Sequence, residues 1–296
     1  MIGLKTLIKR NTKLFFKDKG LFFTSLITPL ILLMLYMTFL GNVYRDSFEM
    51  AFPEGMSIPE KLLDAAVGGQ LLSSLLAVCC VTVSFCSNML MVQDKVTGAR
   101  KDFMITPVKG STLAVGYYVS TLLCTFLICL TALGAGFLYL GKQGWYLSGT
   151  DVFYLLFDVF LLVMFGVALS SIINSFLSTQ GQISAVGSMV SSVYGFICGA
   201  YMPISQFGKG LRNALSFFPG TYATSLLRNH SLRGVFAEME AQNYPREVVQ
   251  ALKDSIDCNV YFLDTSVSLT TMYCILGGSV ILLVSIYVFM NLIKRK

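Results

Sequence analysis

The sequence predicts an all-α integral membrane protein with six transmembrane helices, multi-pass, with both ends on the cytoplasmic side. Three observations point there. Of 296 residues, 55% are hydrophobic and 13% charged, about half the charged share of a soluble domain. Charge-free runs at 21–40, 65–93, 110–141, 159–208 and 265–293 each reach the ~20 residues that cross a bilayer. The third observation is how lysine and arginine divide between the loops.

The run 159–208 is too long for one helix and holds a polar interruption from Asn174 to Gln182, so it reads as two spans. The six spans then lie near 21–40, 66–92, 112–140, 152–173, 183–202 and 268–292, and an even count places both ends on one side. The first 20 residues, the 93–111 loop and the 294–296 tail hold thirteen lysines and arginines against three acids. That side is cytoplasmic. The other loops carry nine basic and twelve acidic residues, so the net charge of +6 is a topology signal and no nucleic-acid partner is expected.

The first apolar run is full span length, sits behind twenty residues and lacks a small-residue cleavage site, which predicts a retained span and not a signal peptide. Seven of eight cysteines fall inside predicted spans and only Cys258 lies in an external loop, so no external disulfide framework is expected. Before the first span, Leu4, Leu7, Ile8, Leu14 and Phe15 share one helical face while Lys5, Lys9, Arg10, Lys13 and Lys17 occupy the rest. This predicts an interfacial helix over 1–19, contacting membrane lipid or a partner.

On the external side, Ser57-Ile58-Pro59-Glu60 reads as a capping box that opens the second span. Ile204, Phe207, Leu211, Leu215 and Phe218 recur at helical spacing but are broken by glycines and Pro219, which predicts a short helical hairpin dipping into the outer leaflet. Pro245 to Ile256 predicts an amphipathic helix with Val248, Val249, Leu252 and Ile256 inward, in a small external subdomain within 203–267. Gly134 and Gly136 read as helix-packing residues.

Several chemistries find no support. Gly141-Lys142 is followed by Gln143 and Gly208-Lys209 by Gly210, so neither closes a phosphate-binding loop. The chain is not expected to be an enzyme, and no cofactor or metal is expected on it. His230, the one histidine, reads as an external loop residue without a ligand pattern. Asn229-His230-Ser231 matches a glycosylation acceptor only weakly. Asp158 is the one ionisable residue well inside a span, hence a functional candidate, with snorkelling to the external interface or pairing to a serine or tyrosine as its plainer use.

The cytoplasmic loop from Gln93 to Val108 is too short for a domain and too charged for lipid. It offers a turn of helix with Phe103, Met104 and Ile105 able to enter a hydrophobic groove and Asp94, Lys95, Arg100 and Lys101 able to pair at its rim. A polar second-span surface of Ser73, Ser74, Thr82, Ser84, Phe85, Asn88 and Met89 suits an amphiphile and carries no charge. On the fifth span, Gly181, Ser184, Ser188, Ser191, Gly195 and Gly199 form a small-residue stripe. Intramolecular packing explains that stripe as well as a dimer or pathway face does.

With an acid, a glycine and a hydrophobic-x-Thr-Pro-Val run at Asp94, Gly98, Thr106, Pro107 and Val108, the loop resembles that of the permease subunits of type-2 ATP-binding-cassette exporters. The stretch Gly199-Ala200-Tyr201-Met202-Pro203, then Leu215 to Ala223 and Leu227-Arg228, resembles the external re-entrant hairpin of the same family. The resemblance implies a single permease domain over 1–296, coupled to two cytoplasmic ABC ATPase subunits by the 93–111 coupling helix and loop. Asp94, Gly98, Arg100, Lys101, Phe103, Thr106 and Pro107 would serve that coupling. ATP and Mg would be bound by the partner. It implies a dimer, homomeric by preference, with a substrate path past Ser84, Phe85, Asn88, Ser188, Ser191 and Gly195 and an external gate of Met202, Pro203, Phe218 and Pro219. The substrate would be drug-like, lipid-like or lipid-linked, exported across a cell membrane, the plasma membrane of a bacterium. The 229–267 insert is longer than the family pattern. The competing class, a secondary transporter or channel driven by an ion gradient, needs intramembrane charge, and one acid without an inverted repeat suits it poorly.

Overall fold

The computed structural model describes residues 2–50, 52, 58–106, 108–263 and 265–293. The first helix, α1 (Ile2–Lys17), is followed by α2 (Lys19–Leu35), which passes through a π-helical turn at Tyr36–Leu40 into α3 (Gly41–Met50). Next come α4 (Glu60–Ser87), the two short helices α5 (Met89–Val96) and α6 (Ala99–Ile105), then α7 (Gly110–Gln143), α8 (Gly149–Phe176) and α9 (Gln180–Ile197). After a 3-10 turn at Ile204–Gln206 the chain forms α10 (Lys209–Leu215), α11 (Pro219–Ala241) and α12 (Arg246–Ser255). A two-residue hairpin, β1 (Tyr261–Phe262) against β2 (Thr265–Ser266), leads into α13 (Leu269–Ile293).

Among the described residues, five helices are long and apolar enough to cross a membrane: Lys19–Met50, Glu60–Val96, Gly110–Gln143, Gly149–Phe176 and Leu269–Ile293. The expected sixth span is not among these five. Its segment forms α9, only 18 residues long, in which Gln180, Gln182 and four serines dilute the apolar character. The predicted break between the fourth and fifth spans is present. Leu177 ends α8, and Thr179 starts α9 with a reciprocal capping box to Gln182, which supplies the donors and acceptors a helix end lacks. At the second span, α4 begins at Glu60 behind Pro59; Ser57 of the expected capping box, like the tail Lys294, Arg295 and Lys296, lies outside the described residues.

The core helix is α4. From Ala65 to Asn88 every residue is buried, because α7, α8 and α11 press on it from different sides. The close approach rests on glycine. A Cβ at Gly69 would lie 2.9 Å from the Ser231 carbonyl of α11, and one at Gly166 of α8 would lie 3.0 Å from the Cys80 carbonyl of α4. Of the two glycines expected to pack helices, Gly136 meets Leu72 whereas Gly134 faces open space.

The largest correction concerns 203–267. In place of a short hairpin carrying an external loop, Pro219 opens a 23-residue helix, α11, buried from Gly220 to Arg228 and again at His230 to Leu232 and at Val235, Phe236 and Met239. It packs on α4, α8 and α13. The predicted amphipathic helix is there as α12, with Val249 and Leu252 buried and Ile256 just beyond it buried also.

Candidate functional site

At one end of the bundle lies the turn between α5 and α6. Gly98 adopts φ +83°, and its carbonyl accepts from the Lys101 amide at 2.8 Å. A left-handed residue lets the chain reverse within two residues, which glycine does without strain. Eight residues after Gly98 the Thr106 hydroxyl donates to the Phe103 carbonyl at 2.6 Å and its backbone turns extended. Pro107 lies outside the described residues, as does the Met104 side chain.

Several residues expected at the rim of this helix turn inward instead. The Asp94 carboxylate, buried, takes both guanidinium nitrogens of Arg10 on α1, at 2.5 and 2.9 Å, and the Tyr117 hydroxyl of α7 at 2.5 Å. One carboxylate thus joins α1, α5 and α7, and its hydrogen bond holds the Arg10 proton more firmly than in water. Lys95 donates to the Asn174, Ser175 and Leu177 carbonyls at 2.8 to 2.9 Å. Its three donors close the C-terminus of α8, where free carbonyls and the helix dipole favour a cation. Arg100 reaches Asn291 of α13 at 3.2 Å. Phe103, half-buried, lies under the Arg10 guanidinium, 5.0 Å from its ring centre. Left bare on α6 are Lys101, Asp102 and above all Ile105, 86% exposed.

The opposite end is built around the elbow after α9. Gly199 sits at φ +74°, with the Ala200 amide donating to the Gly195 carbonyl at 2.8 Å and the Gly199 amide to Phe196 at 3.3 Å, the two bonds of a Schellman ending. The chain folds back so that the Tyr201 ring covers Gly195. Fully buried Arg228 of α11 clamps this elbow. It donates to the Gly199 carbonyl and to Asp257 at 3.4 Å, while Asp257 accepts the Ile204 amide and, at 3.0 Å, the Ser205 amide. Burial pushes the Asp257 carboxyl up, against the pull of Arg228 and those amides.

Between this elbow and α3, the second half of the first span, is a cavity of about 610 Å³. Met202 and Pro203 line it together with Leu40, Tyr44, Phe196 and Tyr201, and among the described residues no charged side chain lines it. The other two expected gate residues are elsewhere: Phe218 packs edge-on against Phe165 and Tyr194, and Pro219 starts α11.

The expected substrate-path residues divide. Ser84, Phe85 and Asn88 are buried inside the protomer. Asn88 donates to the Ser170 and Ser171 hydroxyls of α8 at 3.0 and 2.9 Å and accepts from Thr121 of α7 at 3.4 Å. A polar group in a helix core needs such partners, and Asn88 thereby ties α4 to α7 and α8. On α9, Ser188 is exposed, Ser191 half-buried, and Gly195 covered by the elbow.

Asp158 has the tyrosine partner foreseen as its plainer use, Tyr273 at 2.6 Å, and a second that sequence reasoning missed. His230 Nδ1 lies 2.6 Å from its other oxygen, with the Tyr154 ring stacked 4.8 Å from the imidazole. The histidine is therefore no loop residue, and Asn229 of the acceptor pattern is tied to the Ser225 and Cys258 carbonyls. The missed signal was the run Leu226, Leu227, Leu232, Val235, Phe236 and Met239, whose helical spacing marks a buried helix continuing past the last arginine of the hairpin.

A family model described as ABC-2 type transporter matches residues 3–230. No curated protein matches the chain.

Proposed function

The chain belongs to the ABC-2 type transporter family, and from that premise we propose that it is one half of a dimeric exporter for a hydrophobic or amphiphilic substrate. Within such a transporter this chain is the transmembrane permease component, and the family implies an ABC ATPase subunit as its partner. The ion-gradient alternative thereby falls away, and the intramembrane acid it leaned on is already joined to His230 and Tyr273.

One observation carries the docking reading: α6, tied to α13 by Arg100 and to α1 by the Arg10–Phe103 contact, nevertheless presents a bare Ile105. A rigid element with an uncovered aliphatic tip flanked by Lys101 and Asp102 suits an ATPase groove. The uncharged cavity at the other end supports an amphiphilic substrate leaving between the elbow and the first span. The outward face of α9, with Ser188 and exposed Met189, Val193 and Phe196, supports a homodimer seam.

The test is affinity purification of the chain with its ATPase, comparing wild type with Ile105→Asp. A central interface anchor contributes ~2 kcal/mol or more, roughly thirtyfold in affinity. Recovered ATPase and substrate-stimulated hydrolysis should fall by that order while thermal stability of the permease is unchanged. Wild-type recovery in Ile105→Asp would remove α6 from the docking surface.

A further inference from the structure

On the side of the bundle that carries α6, the α1 helix and α7 enclose an open groove of about 920 Å³. Its walls are hydrocarbon: Leu4, Ile8 and Phe16 from α1 and Leu123 from α7. Lys5, Lys9 and Lys13 also line it. Spaced four residues apart, they form a row along one side of the helix, which exposed Lys17 extends by a further turn. No carboxylate pairs with Lys5, Lys9 or Lys13 among the described residues, and the nearby Asp18 instead accepts the Leu21 amide of α2 at 3.1 Å.

The opposite face of α1 is already taken: Leu7, Asn11 and Phe15 are buried and Arg10 is locked to Asp94. The groove face therefore has free cations and bare hydrocarbon in register, and one of its walls belongs to a candidate membrane span. Leu123 and Leu127 on that span are 44% and 49% exposed, so the groove opens onto the surface that meets acyl chains. We propose that this groove is a binding site for an anionic phospholipid of the adjoining leaflet, its acyl chain against Leu4, Ile8, Phe16 and Leu123 and its phosphate on the lysine row. An acidic protein segment would match the lysines but not the continuity of the groove with the lipid-facing surface of α7. The site depends on the chain lying in a bilayer and not on which ATPase or substrate it serves.

Purified full chain reconstituted in nanodiscs of equal phosphatidylglycerol and phosphatidylcholine, then released for native mass spectrometry, tests the site. Each lysine near a charged surface contributes roughly fivefold in affinity, so retained phosphatidylglycerol should exceed phosphatidylcholine at least tenfold. Joint Lys5→Gln, Lys9→Gln and Lys13→Gln substitution should erase that preference, whereas Lys142→Gln and Lys209→Gln should keep it. Leu123→Trp, which fills the groove and leaves the charges, should lower the total lipid retained even if the triple variant fails to fold. Glycerol phosphate should not displace the lipid. Equal retention of the two lipids, an unchanged preference in the triple variant, full displacement by glycerol phosphate, or an acidic protein chain recovered in place of the lipid would each overturn the proposal.

Discussion

Both ends of the bundle join an arginine to a carboxylate, and the two pairs sit in different solvents. At the α6 end, the Arg10 side chain is 30% exposed and grips Asp94 with two nitrogens. At the elbow end, the Arg228 side chain is 1% exposed, so Asp257 alone does not satisfy its five donors and the Gly199 carbonyl and Gln70 are drawn in. With its oxygen toward the guanidinium, the Gln70 amide accepts from Nε at 3.2 Å. The difference separates two uses of one residue type. Arg10 fastens a helix at the water boundary, where a lost bond is replaced by solvent; Arg228 fills the interior, where a lost partner stays unpaired.

The comparison has its sharpest test at Arg228. Arg228→Ala should cost ~3–5 kcal/mol, the usual consequence of leaving one member of a buried pair behind, read as a large fall in thermal stability in detergent. The Arg228→Ala, Asp257→Ala double variant should lose less than the sum of the singles, since the orphaned carboxylate goes with it. A loss at Arg228 no greater than that at Arg10 would break the distinction drawn from burial.

Asp94→Ala is expected to cost less, ~1.5–3 kcal/mol, because Arg10 is left at a hydrated boundary. Its signature is local: faster amide exchange across α1 and α6, with the elbow end unchanged. Combining it with Arg10→Ala should add little, as the two report the same bond. Equal loosening at both ends would mean that Asp94 supports the whole bundle and not one joint.

These joints also mark where sequence reasoning succeeds and where it stops. The break after α8 was legible because Thr179 and Gln182 are local partners three residues apart, and α12 because its apolar residues repeat at helical spacing. The long α11 was not. Arg228, His230 and Arg233 lower its apolar character, and what makes them tolerable inside a fold lies far along the chain: Asp257 for the arginine and Asp158, 72 residues back, for the histidine. The same holds within the coupling trio. Phe103 and Ile105 are equally apolar on paper, and contacts from distant parts of the chain, the core cluster and Arg10 arriving from α1, cover the phenyl ring while the isoleucine stays bare. Pairing over such distances leaves no periodic trace. Likewise α9 lies in a charge-free run, but its serines and glutamines make it more polar than the five apolar helices.

The smallest effect expected is at Gly98, and it tests whether the α6 joint is held by conformation or by contact. A Cβ added there meets no atom within 4 Å, yet the residue sits at φ +83°. Gly98→Ala therefore adds no clash and its cost is the left-handed backbone alone, ~1 kcal/mol. Asparagine, which tolerates that region better, should cost less than alanine despite its larger side chain. Valine, branched at Cβ, should cost more. A series ordered Gly, Asn, Ala, Val by thermal stability, with ATPase recovery falling in the same order, would show that the direction of α6 is set by one backbone torsion. A series ordered by side-chain volume would show instead that a docked partner occupies the space beside Gly98, which would place the interface on the turn as well as on Ile105.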